Sequence, residues 1–166
     1  MSFYHTVKVA SLVALLCSLA GAGRPAVAQD SAGWKVSCIE GNERCTAVLS
    51  VQTADSGKSL AAIGIQIGRG GKEPAMIAIL PLGVELKAGF RAVVAGKAYD
   101  APFEACFADG CRAVAALPEG SLGAWITAAS VQLQFFPFGS DNPVSAEVPL
   151  IGLREALDSK SLLKTP

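Results

Sequence analysis

Apolar and polar residues alternate along much of the chain after residue 33. The alternation is clearest at residues 34–38, 60–67 and 131–135, where every second residue is apolar. A period of two is that of a β-strand with one face buried. Residues 76–80 form a continuous apolar run instead, which predicts a strand buried on both faces. The same reasoning predicts further strands at residues 45–52, 90–94, 98–103 and 111–117, and a last strand from residue 144.

Turn residues separate these runs and predict how some of them connect. Gly96 and Lys97 predict a tight hairpin between residues 90–94 and 98–103, with glycine at the first turn position. A total of roughly seven to ten short strands is typical of a β-sandwich or a barrel. The chain is therefore predicted to be all-β.

Two segments have a helical rather than an alternating pattern. Leu122, Trp125 and Ile126 recur at helical spacing, which predicts a short helix within residues 119–129. A terminal helical turn is predicted at residues 152–157, and residues 159–166 are expected to be loosely held. Trp34 and Trp125 are expected to be core residues.

The first 28 residues have the features of a secretory signal peptide. A short polar start precedes a mostly apolar run at residues 9–22, and Ala26-Val27-Ala28 has the small-x-small pattern of a cleavage site. The apolar run is shorter than the roughly 20 residues that cross a bilayer as a helix. We expect cleavage after Ala28, a single domain at residues 29–166, and no membrane span in the mature chain.

Charge and histidine content exclude several classes of function. Lys and Arg together number 14, as do Asp and Glu, and no basic segment stands out, so nucleic acid is a poor candidate partner. The one histidine, His5, lies in the predicted signal. The mature chain would therefore have no Ser-His or Cys-His dyad and no histidine metal ligand.

Four cysteines lie outside the predicted signal: Cys38, Cys45, Cys106 and Cys111. In an exported chain an even number of cysteines indicates disulfides first. Four cysteines allow three pairings. We favour Cys38 with Cys45 and Cys106 with Cys111, because each pair flanks a turn signal and facing residues of a hairpin lie close enough for a disulfide. The spacing of four in the second pair could fit a zinc knuckle, but the spacing of six in the first fits poorly, and export favours oxidation. Neither spacing is the C-x-x-C of thiol exchange.

Other candidate chemistry is weak. The segment at residues 68–73 resembles a phosphate loop, but Gln66 stands where its first glycine is needed and Glu73 where a hydroxyl is needed. Ser161 and Lys164 have a serine-lysine spacing near the end of the chain. Asp141-Asn142 leaves a calcium site as a minor alternative. We expect no cofactor, no metal and no catalytic residue.

The segment Phe135-Phe136-Pro137-Phe138 is the clearest candidate for binding. Strand alternation places Phe135 and Phe136 on opposite faces, so both cannot enter the same core. Either the second ring packs under a loop, or it is exposed. An exposed aromatic cluster would be a partner site, and Phe136 and Phe138 are its candidate residues.

Four motifs in this order carry a family resemblance that covers about residues 33–158. They are Trp34-x-Val36-x-Cys38, Pro81-Leu82-Gly83-Val84-x-Leu86, Cys106-x3-Gly110-Cys111-x-Ala113 and Gly152-x3-Ala156-Leu157. Together they resemble the invasion-associated locus B family of Gram-negative bacteria. The chain departs from the family at Leu153, where a phenylalanine is common, and this affects local packing.

The resemblance implies an exported, disulfide-bonded, immunoglobulin-like β-sandwich with one or two short helices. It also implies a relation to virulence-associated proteins of host invasion, and it carries over no catalytic residue. Residues and resemblance together favour a non-catalytic protein of the periplasm or outer surface that binds a protein or an envelope component. The alternatives are a structural or stress-related envelope protein without a discrete ligand, an enzyme that uses carboxylates alone, and a module that binds a small ligand or a metal.

Overall fold

The computed structural model describes residues 33–39, 44–52 and 59–163. The predicted signal peptide lies outside these described residues. The described part of the chain contains ten strands and two short helices, and the structure is therefore all-β, as the alternation predicts. The strands are β1 Lys35–Cys38, β2 Arg44–Gln52, β3 Ser59–Gly68, β4 Lys72–Leu80, β5 Phe90–Val94, β6 Lys97–Ala101, β7 Phe103–Phe107, β8 Gly110–Ala116, β9 Ser130–Phe135 and β10 Val144–Pro149; the helices are α1 Ser121–Thr127 and α2 Leu153–Asp158.

The strands form two antiparallel sheets. The first has six strands in the order β1-β2-β3-β4-β8-β7, and the second has four in the order β10-β9-β5-β6. The chain runs through β1 to β4 of the first sheet, then alternates between the sheets in hairpins. The β-sandwich prediction is confirmed.

A single apolar core receives side chains from both sheets and both helices. Alternate residues of β3 and β9 are buried, as the period of two predicts. Trp34 and Trp125 are both buried core residues, which confirms the expectation for them. Leu153, where the chain departs from the family pattern, is fully buried as well, so the departure is accommodated by packing.

Strand β4 is buried on both faces, as its unbroken apolar run predicts. Ala75, Met76, Ile77 and Ala78 are all buried, although neighbouring residues of a strand point to opposite faces. The strand lies inside the six-stranded sheet between β3 and β8, so side chains of both neighbouring strands pack beside its own on each face.

The hairpin between β5 and β6 differs from its prediction by one turn position. Val94 pairs with Lys97, so the turn residues are Ala95 and Gly96, and glycine takes the second position rather than the first. Both residues have positive φ, 48° and 77°, which is the requirement of a type I′ turn. The resulting register places Tyr99 opposite the small Ala92.

The structure contains both disulfides in the favoured pairing. Cys38 faces Cys45 across β1 and β2, and Cys106 faces Cys111 across β7 and β8. Their Cα atoms are 4.1 and 3.9 Å apart, somewhat closer than the roughly 4.5–5.5 Å between directly opposed residues of an antiparallel pair. Since β1 and β7 are the two edges of the six-stranded sheet, each disulfide ties an edge strand to its inner neighbour.

Replacing both Cys106 and Cys111 with alanine is expected to lower the free energy of unfolding by about 2 kcal/mol, since a short closed loop restricts the unfolded chain only modestly. The same change at Cys38 and Cys45 should have a similar effect. Because the bridges lie at opposite edges of one sheet, the two losses should add in the fourfold variant. Urea unfolding of the three variants measures this, and a strongly non-additive result would contradict independent bridges.

The expectation that residues 159–166 are loosely held is wrong for the part of this segment that the structure describes. Leu162 is only 3% exposed, and its carbonyl accepts a hydrogen bond of 2.6 Å from the Gly71 N–H. Burial of a leucine side chain stabilises by roughly 1.5–3 kcal/mol, which is enough to hold a short tail against the fold. Residues 164–166 lie outside the described residues.

Candidate functional site

Two loops lie side by side next to the ends of β5 and β9. Val84 and Pro137 form an isolated antiparallel bridge. On either side of it, the Glu85 N–H donates to the Phe136 carbonyl at 2.8 Å and the Phe138 N–H donates to the Gly83 carbonyl at 2.7 Å. These bonds continue the strand pairing into the loops, so the loop backbones are held by the fold.

The paired loops expose large apolar side chains. Phe135 is buried, Phe136 is half-buried, and Phe138 is 77% exposed. On the facing loop, Leu82 is 60% and Leu86 is 51% exposed. We call Leu82, Leu86, Phe136 and Phe138 the end-loop surface. Several exposed apolar side chains on two paired loops mark an interaction site more often than scattered apolar residues do.

A shallow cavity of about 200 Å³ adjoins the end-loop surface and includes Phe136 in its wall. It lies on the outer face of the four-stranded sheet, where polar side chains meet two loops. Its lining residues are Ala88, Gly89, Arg91, Asp100, Gln134, Phe136 and Pro143.

Strand register brings polar residues into a row on this outer face. Arg91 of β5 is directly opposite Asp100 of β6 on one side and Gln134 of β9 on the other. Gln134 is in turn opposite Ser145 of β10. Neighbouring strands are about 4.8 Å apart, so one hydrogen-bonding side chain follows another across all four strands. We call these four residues the polar row.

The centre of the polar row is a two-pronged ion pair. Arg91 donates from Nε to Asp100 Oδ1 at 2.6 Å and from Nη2 to Asp100 Oδ2 at 3.2 Å. The hydrogen bond to Asp100, together with the negative charge of that carboxylate, raises the pKa of Arg91 above its ordinary value. Both side chains are more than half exposed, and such surface pairs contribute little to stability. The fork does, however, fix the orientation of both groups.

The segments considered for a phosphate loop, a calcium site and a serine-lysine pair differ in their local structure. The glycine-rich segment forms a tight turn, Arg69–Gly71, whose Gly71 N–H is already bonded to Leu162. Near Asp141, the Ser140 hydroxyl donates to the Asn142 carbonyl and accepts from the Asn142 N–H, both at 3.1 Å. Lys164 lies outside the described residues. Within the described ranges, no three Asp, Glu, Cys or His side chains converge in a way that could hold a metal.

Phe136 and Phe138 are candidate binding residues from the sequence, whereas Leu82, Leu86 and the polar row were not predicted. From alternation alone, Arg91 and Gln134 could have been placed on the outward faces of β5 and β9. No local pattern shows that Arg91, Gln134 and Asp100 are cross-strand neighbours.

In the part of the chain that the structure describes, no helix has the length and apolar character needed to cross a membrane.

Comparison with known proteins points to one family. The model of the family described as invasion associated locus B protein matches residues 34–161. The crystal structure of invasion associated protein b from Bartonella henselae is similar, with a TM-score of 0.64 and 18% sequence identity over 76% of this chain and 90% of that one. At that identity the likeness concerns the fold. A search of curated proteins finds no match.

Proposed function

The chain belongs to the invasion associated locus B family, and on that premise we propose that it is an exported, non-catalytic module that binds a partner in the bacterial envelope through its end-loop surface. The observation that carries the proposal is the group of exposed apolar side chains on two loops that the backbone pairing holds together. The family match supports a location in the bacterial envelope, and the loop geometry supports binding through the end-loop surface.

The end-loop surface has the properties of a binding surface. Aromatic residues are enriched where proteins bind partners, and Phe138 presents most of its ring to solvent. Because the Phe138 N–H and the Val84–Pro137 bridge hold the loops in place, little backbone freedom is lost on binding. Burial of one exposed aromatic side chain contributes about 1.5–3 kcal/mol.

The neighbouring cavity supports a contact role rather than catalysis by carboxylates. Acid-base chemistry with carboxylates alone generally uses two acids with separate protonation states facing one substrate. Asp100, which lines this cavity, is engaged by the Arg91 fork. A carboxylate held in this way is a fixed hydrogen-bond acceptor.

In-cell photo-crosslinking tests the proposal. A benzoylphenylalanine in place of Phe138 should capture a discrete partner, and the Phe138→Ser variant should recover at least about tenfold less of that partner in a pull-down, the size of effect typical of an interface hot spot. The matched control is Phe107, a ring on β7 that is 59% exposed and lies outside the end-loop surface.

Comparing the crosslinks at Phe107 and Phe138 distinguishes specific binding from random contact. Crosslinks that are the same at Phe107 and Phe138, or a pull-down unchanged by Phe138→Ser, would refute the end-loop surface as the binding site. A deletion strain with altered envelope integrity and no partner at either position would instead support the structural or stress-related role.

Export is tested separately. We expect the protein purified from its native cells to begin at Gln29, since Ala26-Val27-Ala28 has the pattern that signal peptidase cleaves. N-terminal sequencing and fractionation of periplasm, outer surface and cytoplasm measure this together. An uncleaved chain in the cytoplasmic fraction would contradict it, and so would thiols in the free form at the four cysteines.

A further inference from the structure

The polar row offers both hydrogen-bond donors and acceptors to one ligand. The Arg91 guanidinium has more N–H groups than the ion pair uses, and the Asp100 carboxylate has further lone pairs. Beside them, the Gln134 amide can donate from its nitrogen and accept at its oxygen. These three side chains line the same cavity, so one ligand there can contact all three.

An apolar wall stands next to the polar row. Phe136 and Pro143 contribute rings, and Ala88 contributes a methyl group, to the same cavity. A ligand that fills it must therefore combine an apolar face with an edge that both donates and accepts hydrogen bonds. The ligand must also be small at this point, because about 200 Å³ is below the ~300–1,000 Å³ of sites that enclose a whole drug-sized molecule.

The charges of the cavity further restrict the chemical class of the ligand. Arg91 and Asp100 neutralise each other, so the cavity has no excess charge of either sign from this pair. A phosphate or carboxylate approaching Arg91 would be repelled by Asp100, and a cation approaching Asp100 would be repelled by Arg91. A purely apolar group, such as a leucine side chain of a peptide, would exclude water from the remaining donors and acceptors of the polar row without replacing the hydrogen bonds to that water.

From these properties we infer, on the premise of the proposed contact function, that the partner presents a neutral saccharide and that the cavity beside Phe136 takes one of its sugar rings. Hydroxyl groups each donate and accept, so they match the mixed groups of Arg91, Asp100 and Gln134. The C–H face of the ring packs on Phe136 and Pro143, where contact is dispersive and apolar. The remaining sugar rings extend along the polar row toward Ser145.

Nuclear magnetic resonance titration of the full mature protein tests the inference. The probes are cellohexaose and the hexamer of N-acetylglucosamine, which present the same ring without and with an acetamido group. At millimolar sugar, at least one probe should shift the amide signals of Arg91, Asp100, Gln134 and Phe136 saturably. The Arg91→Lys variant, which retains the charge and loses the fork, should bind about 10- to 100-fold more weakly.

The chain offers a matched control for this substitution. Arg112 of β8 is also an exposed arginine paired across strands with an acid, Glu104 at 3.8 Å, but on the six-stranded sheet. Arg112→Lys should leave sugar binding unchanged. Phe136→Ala should weaken binding at the cavity, whereas Phe107→Ala should not, and thermal unfolding of each variant confirms that it is folded.

The outcomes separate the saccharide from the contact function itself. No shift with either sugar, shifts away from the polar row, or equal weakening by Arg91→Lys and Arg112→Lys would overturn the saccharide inference. If crosslinking at Phe138 still captured a specific partner in that case, the proposed function would stand with a partner of another class. Sugar binding at the polar row without any crosslink at Phe138 would support the saccharide and refute the end-loop surface.

Discussion

Trp125→Ala is expected to lower the free energy of unfolding by about 3–5 kcal/mol, the usual range for removing a large aromatic side chain from a core. Trp125 is fully buried, and its side chain carries α1 into the common apolar core. Its ring packs edge-on against Tyr99, with 5.6 Å between centroids and 60° between planes. Against a total stability of about 5–15 kcal/mol, this loss is large.

Urea unfolding followed by circular dichroism measures the effect of Trp125→Ala. The control is Leu122→Ala in the same helix, where the side chain is only half-buried and the loss should be about 1 kcal/mol. A Trp125→Ala variant no less stable than Leu122→Ala would contradict the packing described here. Tyr99 immediately precedes Asp100 in β6, so loosened packing at Trp125 should also weaken whatever the polar row binds.

The alternation of side chains predicted the strands well because burial on one face imposes a period of two. The predicted strand at residues 90–94 coincides with Phe90–Val94, and the helix predicted within residues 119–129 contains Ser121–Thr127. The turn after β5 was misplaced because the pattern favoured glycine at the first position. In the structure Ala95 adopts positive φ there, which few residues other than glycine do and which no local pattern indicates.

The disulfides and the aromatic loop were predictable because their signals are local. Cys106 and Cys111 flank their own hairpin, so a short loop is enough to bring them together. For Phe136, alternation with the buried Phe135 was enough to place the ring on the outer side. In both cases the sequence distance is short, and the geometry of a single strand or hairpin decides the outcome.

The polar row and the C-terminal anchor could not be predicted, since both depend on contacts between distant segments. Gln134 faces Arg91 because β9 pairs with β5 in the second sheet, and many sheet orders are compatible with the same strands. Leu162 is held by the turn at Gly71 between β3 and β4. The polar row is therefore a product of sheet order, whereas the outward position of Phe136 follows from local alternation.

Gly64→Ala and Gly123→Ala are the same substitution with expected effects of opposite sign. At Gly64, in β3, an added Cβ would lie 2.5 Å from the Ala47 carbonyl oxygen and 3.1 Å from Val48 Cγ2. A backbone oxygen in the middle of a paired strand cannot retreat without breaking the β2–β3 pairing. Overpacking of this kind lowers the free energy of unfolding by about 3 kcal/mol. Gly64 thus marks a close approach of one strand to the next.

At Gly123, in α1, nothing lies within 4 Å of an added Cβ, and the backbone is helical. Alanine there should raise the free energy of unfolding by about 0.5–1 kcal/mol, because it loses less conformational freedom than glycine on folding. Urea unfolding of the two variants beside the parent protein measures both signs in one experiment. Equal effects would contradict the close β2–β3 approach, and a stabilised Gly64→Ala variant would show that the strands are farther apart than described here. Since β3 packs its other face into the core that supports both sheets, the Gly64 variant should also lose partner capture at Phe138 in proportion to its unfolded fraction.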